Sequence, residues 1–218
     1  MHSPASTVEV VSTLEYAARR ALRLTGEAEP GPGLRHDASE LAAKLGPQRR
    51  LLRALYSGGT VRLRGGYCSR PVSVPSCTGW PGHGAGRRSC SRASTSCPTS
   101  APTSSRSAVP HPMIDPSGRI DHLAPALEDP ATAVILLDVV IGHGAARDPA
   151  GAVASALADR RAPDAPVVIG FVVGTDADPQ RPTAQERLLS DAGVVVTQSS
   201  AAGALLAGAV LDARKAPA

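Results

Sequence analysis

Two glycine-led turns in the C-terminal half offer this sequence its clearest chemistry. Gly142, His143 and Gly144 follow an apolar run at residues 133–141 (AVILLDVVI), and Gly174 and Thr175 open a second turn that ends near Gln180. Small residues let a ligand approach the backbone, and where a helix follows, its free N–H groups and dipole suit a phosphate or a carboxylate. The same glycines also suit a plain strand-to-helix turn, so both readings stay open. His143 adds an imidazole that fits a general base or a phosphoryl acceptor, although a lone loop histidine can equally be no more than exposed. A third small-residue turn, Ser57-Gly58-Gly59-Thr60, makes Gly58, Gly59 and Thr60 further candidates to hold an anion.

Other polar residues carry less. Asp138 interrupts the apolar run, where an unpaired carboxylate is costly, so it must either face the cleft near the strand end or meet a donor. Asp176 and Asp178 read as turn residues. His111, Asp115, Asp121 and His122 share no ligand spacing typical of a metal centre, and no metal is assigned. The four cysteines, Cys68, Cys77, Cys90 and Cys97, match no common zinc pattern either.

Strands and helices must position these turns. Residues 133–141 are too short for a long buried helix and rich in β-branched side chains, which predicts a central parallel strand. Asp148 before Pro149 then supplies an N-cap and first helical residue for a helix to Ala158. A strand at 167–173, a helix at 183–192, a strand at 194–197 and a helix at 199–213 complete an alternation that calls for βαβ units. Ile120, Leu123 and Leu127 mark a short helix, with Pro125 expected near its first turn or at a break. Earlier in the chain, residues 8–11 read as a strand and 14–22 as a helix with an apolar face. Asp37 and Glu40 read as a helix start, Gly46-Pro47 as its stop, and residues 51–56 as a buried strand. In such a sheet ligands bind beyond the carboxyl ends of the strands, where the glycine turns lie.

Composition sets the limits. With 42% hydrophobic but only 2% aromatic residues, the core must use Ala, Val, Leu and Ile, which favours helices packed on a sheet. No run of 18 apolar residues exists and the first residues lack signal-peptide features, so no membrane partner and a cytoplasmic address are expected. The net charge of +4 is local rather than global, because residues 61–109 hold seven arginines and no acid, leaving +4 − 7 = −3 elsewhere. No nucleic-acid partner is therefore expected.

That basic stretch, dense in Ser, Pro, Gly and Cys, has one leucine and no hydrophobic period, and is expected to be disordered. It reads either as a native linker or as out-of-frame translation. Permitted codons for residues 61–71, read one base on, give Tyr-Gly-Tyr-Glu-Ala-Ala-Thr-Ala-Leu-Gly, a helix start after the Ser57 turn. Permitted codons for residues 92–109, read two bases late, give a strand and acids.

Taken in order, His111-Pro112-Met113-Ile114-Asp115-Pro116, LLDVVIGHGAARDPAG at 136–151 and the turn at 174–179 resemble successive blocks of FdrA-type proteins, which are succinyl-CoA-synthetase-like. LRALYSGGT at 52–60 resembles an earlier block. The resemblance implies an α/β, doubly wound parallel sheet, a flavodoxin-like CoA-ligase domain at 110–216, with its linker helix and first strand at 30–60. It implies that residues 1–29 are the remnant of a preceding α/β domain and that the chain is truncated. Implied cofactors are CoA and a nucleotide. The implied substrate is a CoA thioester or a small carboxylate or carbamoyl compound, within a homo- or hetero-oligomer. Three functions follow: an acyl-CoA synthetase subunit, an oxamate carbamoyltransferase subunit, or an inactive scaffold or decayed product. Succinyl-CoA synthetases carry a phosphorylated histidine in the glycine loop after the later strand; here residues 174–180 hold none, and His143 stands in the earlier loop.

Genomic sequencing across codons 60–111 is expected to reveal at least two compensating insertions or deletions; an uninterrupted frame there would establish a native linker.

Overall fold

The computed structural model describes residues 9–11, 13–28, 36–57, 111–158, 162 and 164–214. Gly58, Gly59, Thr60, the four cysteines and the 61–109 segment lie outside the described residues, and so do the expectations attached to them.

Four parallel strands form one sheet in the order β1 (Leu51–Leu55), β2 (Thr132–Val140), β3 (Val167–Val173), β4 (Val195–Val196). The expected α/β architecture is therefore present, with a parallel sheet flanked by helices on both faces. β2 owes its central place to its sequence: from Thr132 to Val139 every residue is buried, and a strand apolar on both faces is stable only between two neighbours and two helical layers. Its odd and even side chains feed two separate cores. Val134 and Leu136 join Leu52, Ala54, Ile169 and Phe171 beneath α2 (Ala38–Ala43) and the last helix, α6 (Ser200–Ala213). Ile135, Leu137 and Val139 pack against α3 (Ser117–Glu128), α4 (Pro149–Ala158) and α5 (Pro182–Asp191) on the other face.

Local chemistry fixes the helix starts. Asp37 accepts from the Ser39 N–H at 2.8 Å, Asp148 from the Gly151 N–H at 3.0 Å, and Ser199 from the Ala202 N–H at 3.0 Å. α6 lies close on the sheet because Gly203 has no side chain: a Cβ there would stand 3.1 Å from both Leu136 Cδ1 and Thr197 Oγ1.

Two expectations need correction. Pro125 neither starts nor breaks α3 but sits in its third turn. The carbonyl it leaves without a partner is that of Asp121, on the exposed side where water can bond it, and the Asp129 N–H still reaches the Pro125 carbonyl at 3.0 Å. Near the N-terminus, Glu9–Val11 is not a strand, and α1 (Leu14–Thr25) buries none of its residues. Leu14 is 63% and Leu24 73% exposed. The helical period was real, but the helix meets the domain through its charged stripe: Glu15 pairs with Arg19 at 3.0 Å and accepts a hydrogen bond from Ser199.

The amino end of the sheet is closed by buried or half-buried ion pairs and carbonyl clamps. Arg49 donates to the Thr132 carbonyl at 2.7 Å and the Asp129 carbonyl at 3.1 Å, and Arg214 reaches the Gly46 carbonyl at 2.8 Å. Burial works against the Asp129 carboxylate, but hydrogen bonds from Arg53, the Ala131 N–H and Thr132, with the Arg53 charge, outweigh it and hold its pKa below the usual carboxylate range.

Two outcomes are expected. Gly203→Val should lower stability by about 1–3 kcal/mol through overpacking, read as a fall in Tm, with Gly203→Ala intermediate. Asp129→Asn should cost on the order of 1–2 kcal/mol at neutral pH. Because the folded carboxyl has the lower pKa, its stabilisation is present above the ordinary carboxylate value and is lost as pH falls through the depressed one, so urea melts of wild type and variant should converge in acid.

Candidate functional site

The carboxyl ends of the strands form a rim that carries Gly142, His143, Gly144, Gly174 and Thr175. β2 ends in the turn Gly142-His143-Gly144, and two positive φ values, 136° at Gly142 and 83° at Gly144, make glycine the residue of choice at both places. β3 ends in the turn begun by Gly174 and Thr175. There a Cβ on Gly174 would come within 2.1 Å of Ile141 Cγ1, so the absence of a side chain is what lets the two turns lie against each other.

Gln180 ties them. Its side-chain oxygen accepts from the Gly142 N–H at 3.2 Å, and its Nε2 donates to the carbonyls of Gly142 and Ala146, both at 3.1 Å. The N–H of Ala146 in turn donates to the Met113 carbonyl at 2.8 Å. The blocks at 111–116 and 136–151 and, through Gln180 just beyond it, the turn at 174–179 are thereby joined by hydrogen bonds. Within the second turn Asp178 Oδ2 accepts from the Thr175 N–H at 2.6 Å and the Thr175 hydroxyl at 3.3 Å, a turn-holding role that commits both Thr175 donors.

The helix start after the first turn is also committed. Buried Gln185 accepts from the Ala150 N–H at 2.9 Å, and Asp148 takes the Gly151 N–H. The peptide N–H groups of His143 and Gly144 enter none of the hydrogen bonds among the described residues. Both residues are exposed, as are Arg147 and Arg181 at the ends of the two turns. Arg181 is the one described non-glycine residue at positive φ, 54°, directly before α5.

At the β1 end of the rim, Asp138 meets the donors its burial demanded. Its Oδ1 accepts from the Ser57 N–H at 2.7 Å and the Ser57 hydroxyl at 2.9 Å. Arg119, from the first turn of α3, stands 3.2 Å from the same oxygen, donates to Ser57 Oγ at 2.8 Å, and also bonds the Asp138 carbonyl. Burial pushes the Asp138 carboxyl above the usual carboxylate range, against the pull of Ser57 and Arg119.

His111, Asp115, Asp121 and His122 do not converge. His111 Nδ1 accepts from the Met113 N–H at 3.2 Å, and the half-buried Asp115 has its pKa lowered by the Ser117 N–H. Among the described residues no three side chains gather to hold a metal ion, and no helix is long and apolar enough to cross a membrane.

Sequence reasoning missed Gln180, Gln185 and Arg119. The demand that Asp138 find a donor was legible, but its donors lie 19 and 81 residues away, and nothing in the spacing of a neutral amide separates a loop tie from a solvated side chain.

Comparison with known proteins fits this geometry. The chain is 39% identical over 103 residues to the uncharacterized protein YahF of Escherichia coli (strain K12); the match takes in 45% of this chain and 20% of YahF, so the chain spans about a fifth of that relative's length. The profile of the CoA-ligase family matches residues 99–210, just over half of the chain and inclusive of all three linked blocks, and the protein therefore belongs to the CoA-ligase family.

Proposed function

We propose that this chain is the ligase-type part of an FdrA-like, succinyl-CoA-synthetase-like acid–thiol ligase, and that the rim at 142–146 and 174–180 receives the CoA thioester or the carboxylate that exchanges with it. The carrying observation is the junction of three remote blocks by Gln180 and the Met113 carbonyl, since a family-specific set of turns drawn to one rim is what a ligand site assembled from loops requires.

The residues present suit an anionic acyl or phosphoryl group. The N–H groups of His143 and Gly144 are open donors, no side chain stands over Gly144, and Arg147 and Arg181 flank the turns. CoA would supply the thiol that becomes the thioester, and a nucleotide the phosphoryl group that drives it. This chain's own share is to bind, orient and hold charge. His143 is the exposed imidazole on the rim and serves in this reading as the group that can take or give a proton there. Thr175 shapes the second turn. Gly58, Gly59 and Thr60 are proposed as the third anion-holding turn, following directly on Ser57.

Residues 61–109 are proposed to be out of frame, which would deprive the rim of a wall. Positioning by several loops fails when one is missing, so the isolated chain should bind without turning over.

Calorimetric titration should show saturable binding of coenzyme A, with no thioester formed from succinate and nucleotide by this chain alone. Absence of CoA binding would overturn the assignment of the rim, and thioester turnover would overturn the missing wall. Gln180→Ala should weaken CoA binding by roughly tenfold, about the loss of one well-placed hydrogen-bond tie, while Tm falls little. His143→Ala should leave CoA affinity within about threefold, because the loop's backbone rather than its imidazole holds the ligand.

A further inference from the structure

The two oxygens of the Asp138 carboxyl live in different surroundings. Oδ1 receives the Ser57 N–H, the Ser57 hydroxyl and the Arg119 guanidinium, at 2.7, 2.9 and 3.2 Å. Oδ2 is buried and has no hydrogen-bond partner among the described residues. The side chain itself is 0% exposed. Its neighbours across the sheet explain the seal. Phe171 is its register partner on β3, and Tyr56 follows Leu55, which pairs with Leu137. Tyr56 and Phe171 belong to the same core, and their ring centroids stand 6.3 Å apart at 53°.

An ionised oxygen buried in the sheet and lacking any donor is among the costliest groups a core can hold. A carboxylic acid resolves the asymmetry. Its hydrogen sits on the oxygen without donors, and the other oxygen remains the acceptor of three bonds. We propose that Asp138 works as an uncharged acid, protonated on Oδ2, which positions Ser57 at the exit of β1 and leaves the Arg119–Asp138 pair with the guanidinium's full positive charge for an anionic carboxylate or phosphoryl group at the rim. The identity of that anion rests on the proposed function; the positioning of Ser57 does not.

Nothing else charged competes. Among the elements against β2, α4 and β3 hold no charged residue, β1 holds only Arg53, which pairs with Asp129 at the other end of the sheet, and neither Glu40 of α2 nor Glu186, Arg187 and Asp191 of α5 enters the hydrogen bonds of Asp138. α6 has only Asp212, near its far end, and from α3 Arg119 enters the hydrogen-bond set of Asp138 whereas Asp121, His122 and Glu128 do not. The direction of the Asp138 pKa, raised by burial, agrees. Its sign sets the pH dependence. A carboxyl that holds its proton more tightly folded than unfolded stabilises the fold below the ordinary carboxylate value, and that contribution is lost as pH rises through the raised value. Ionisation also cancels the Arg119 charge, so anion affinity should fall over the same interval.

The test compares wild type, Asp138→Asn and Asp138→Ala by amide hydrogen exchange at Ser57 and by titration with coenzyme A and with inorganic phosphate across about pH 5–8. Asparagine keeps an acceptor in place of Oδ1 and an uncharged group in place of Oδ2–H. It should preserve Ser57 protection within about threefold and bind both probes with an affinity that no longer falls with pH, whereas alanine should lose protection and affinity by roughly tenfold or more. If asparagine behaves like alanine, the ionised form is the working one and the proposal fails. It fails equally if alanine leaves Ser57 protected. Should wild type bind neither probe at any pH, the assigned function falls, yet exchange at Ser57 still decides the role of Asp138.

Discussion

A strand that is apolar on both faces has one stable position, and the rest of this molecule is arranged around that constraint. β2 can be buried only if β1 and β3 take its edges, α2 and α6 one face, and α3, α4 and α5 the other. Parallel pairing to β3 runs unbroken from Val134 to Val140, so the ends of both strands emerge at one level and their turns must share one rim. The site is thus a consequence of register. A shift of one residue would send Leu136 and Leu137 to opposite cores and carry the Gly142 turn away from Gly174.

Into this apolar strand the chain inserts one acid, two residues before the rim. Its burial is costly, yet removing it alone would strip Ser57 and Arg119 of a shared acceptor. Asp138 joins three elements that are distant in sequence: β1 through Ser57, α3 through Arg119, and β2 through itself. The opposite end of the sheet solves a similar problem differently. There Arg49 and Arg214 satisfy backbone carbonyls, and Asp129 is held ionised by Arg53. One acid is pushed below its ordinary range and the other above it, and the difference lies first in burial, which outweighs the donors at Asp138 but not at Asp129. Both Asp129 oxygens accept hydrogen bonds, Oδ1 from the Ala131 N–H and Oδ2 from Arg53 and Thr132, whereas the Asp138 bonds crowd onto a single oxygen.

Much of the sheet was legible because its signals are local. Continuous apolar runs at 133–141 and 167–173 name buried strands whatever surrounds them, and Asp148-Pro149 and Ser199 mark helix starts by their own chemistry. The failures share a cause. The apolar period of α1 gave the right helix but the wrong face, since which face docks depends on Glu15 finding Ser199, 184 residues away. Pro125 was judged by its own clash and not by the exposed carbonyl of Asp121 that makes it tolerable. At the rim the glycines were visible because positive φ and close approach need them. Gln180, Gln185 and Arg119 were not, because a tie between loops is defined only by what it ties.

The choice of ties bears on what the rim can hold. Gln180 closes the two turns with an amide, and the buried Gln185 caps α4 from α5 in the same way, so the contacts that bring the turns together add no charge of their own. Asp148 and Asp178 accept backbone N–H groups of their own loops, and Asp176, the third acid on the turns, is exposed. Amide ties leave the field at the rim to be set by backbone N–H groups, by the arginines at its margins and by Asp176 and Asp178 of the second turn. On the proposed reading, the anionic ends of the reactants would meet mainly backbone dipoles at the rim, with His143 as its exposed imidazole and Asp138 as the acid buried beneath it.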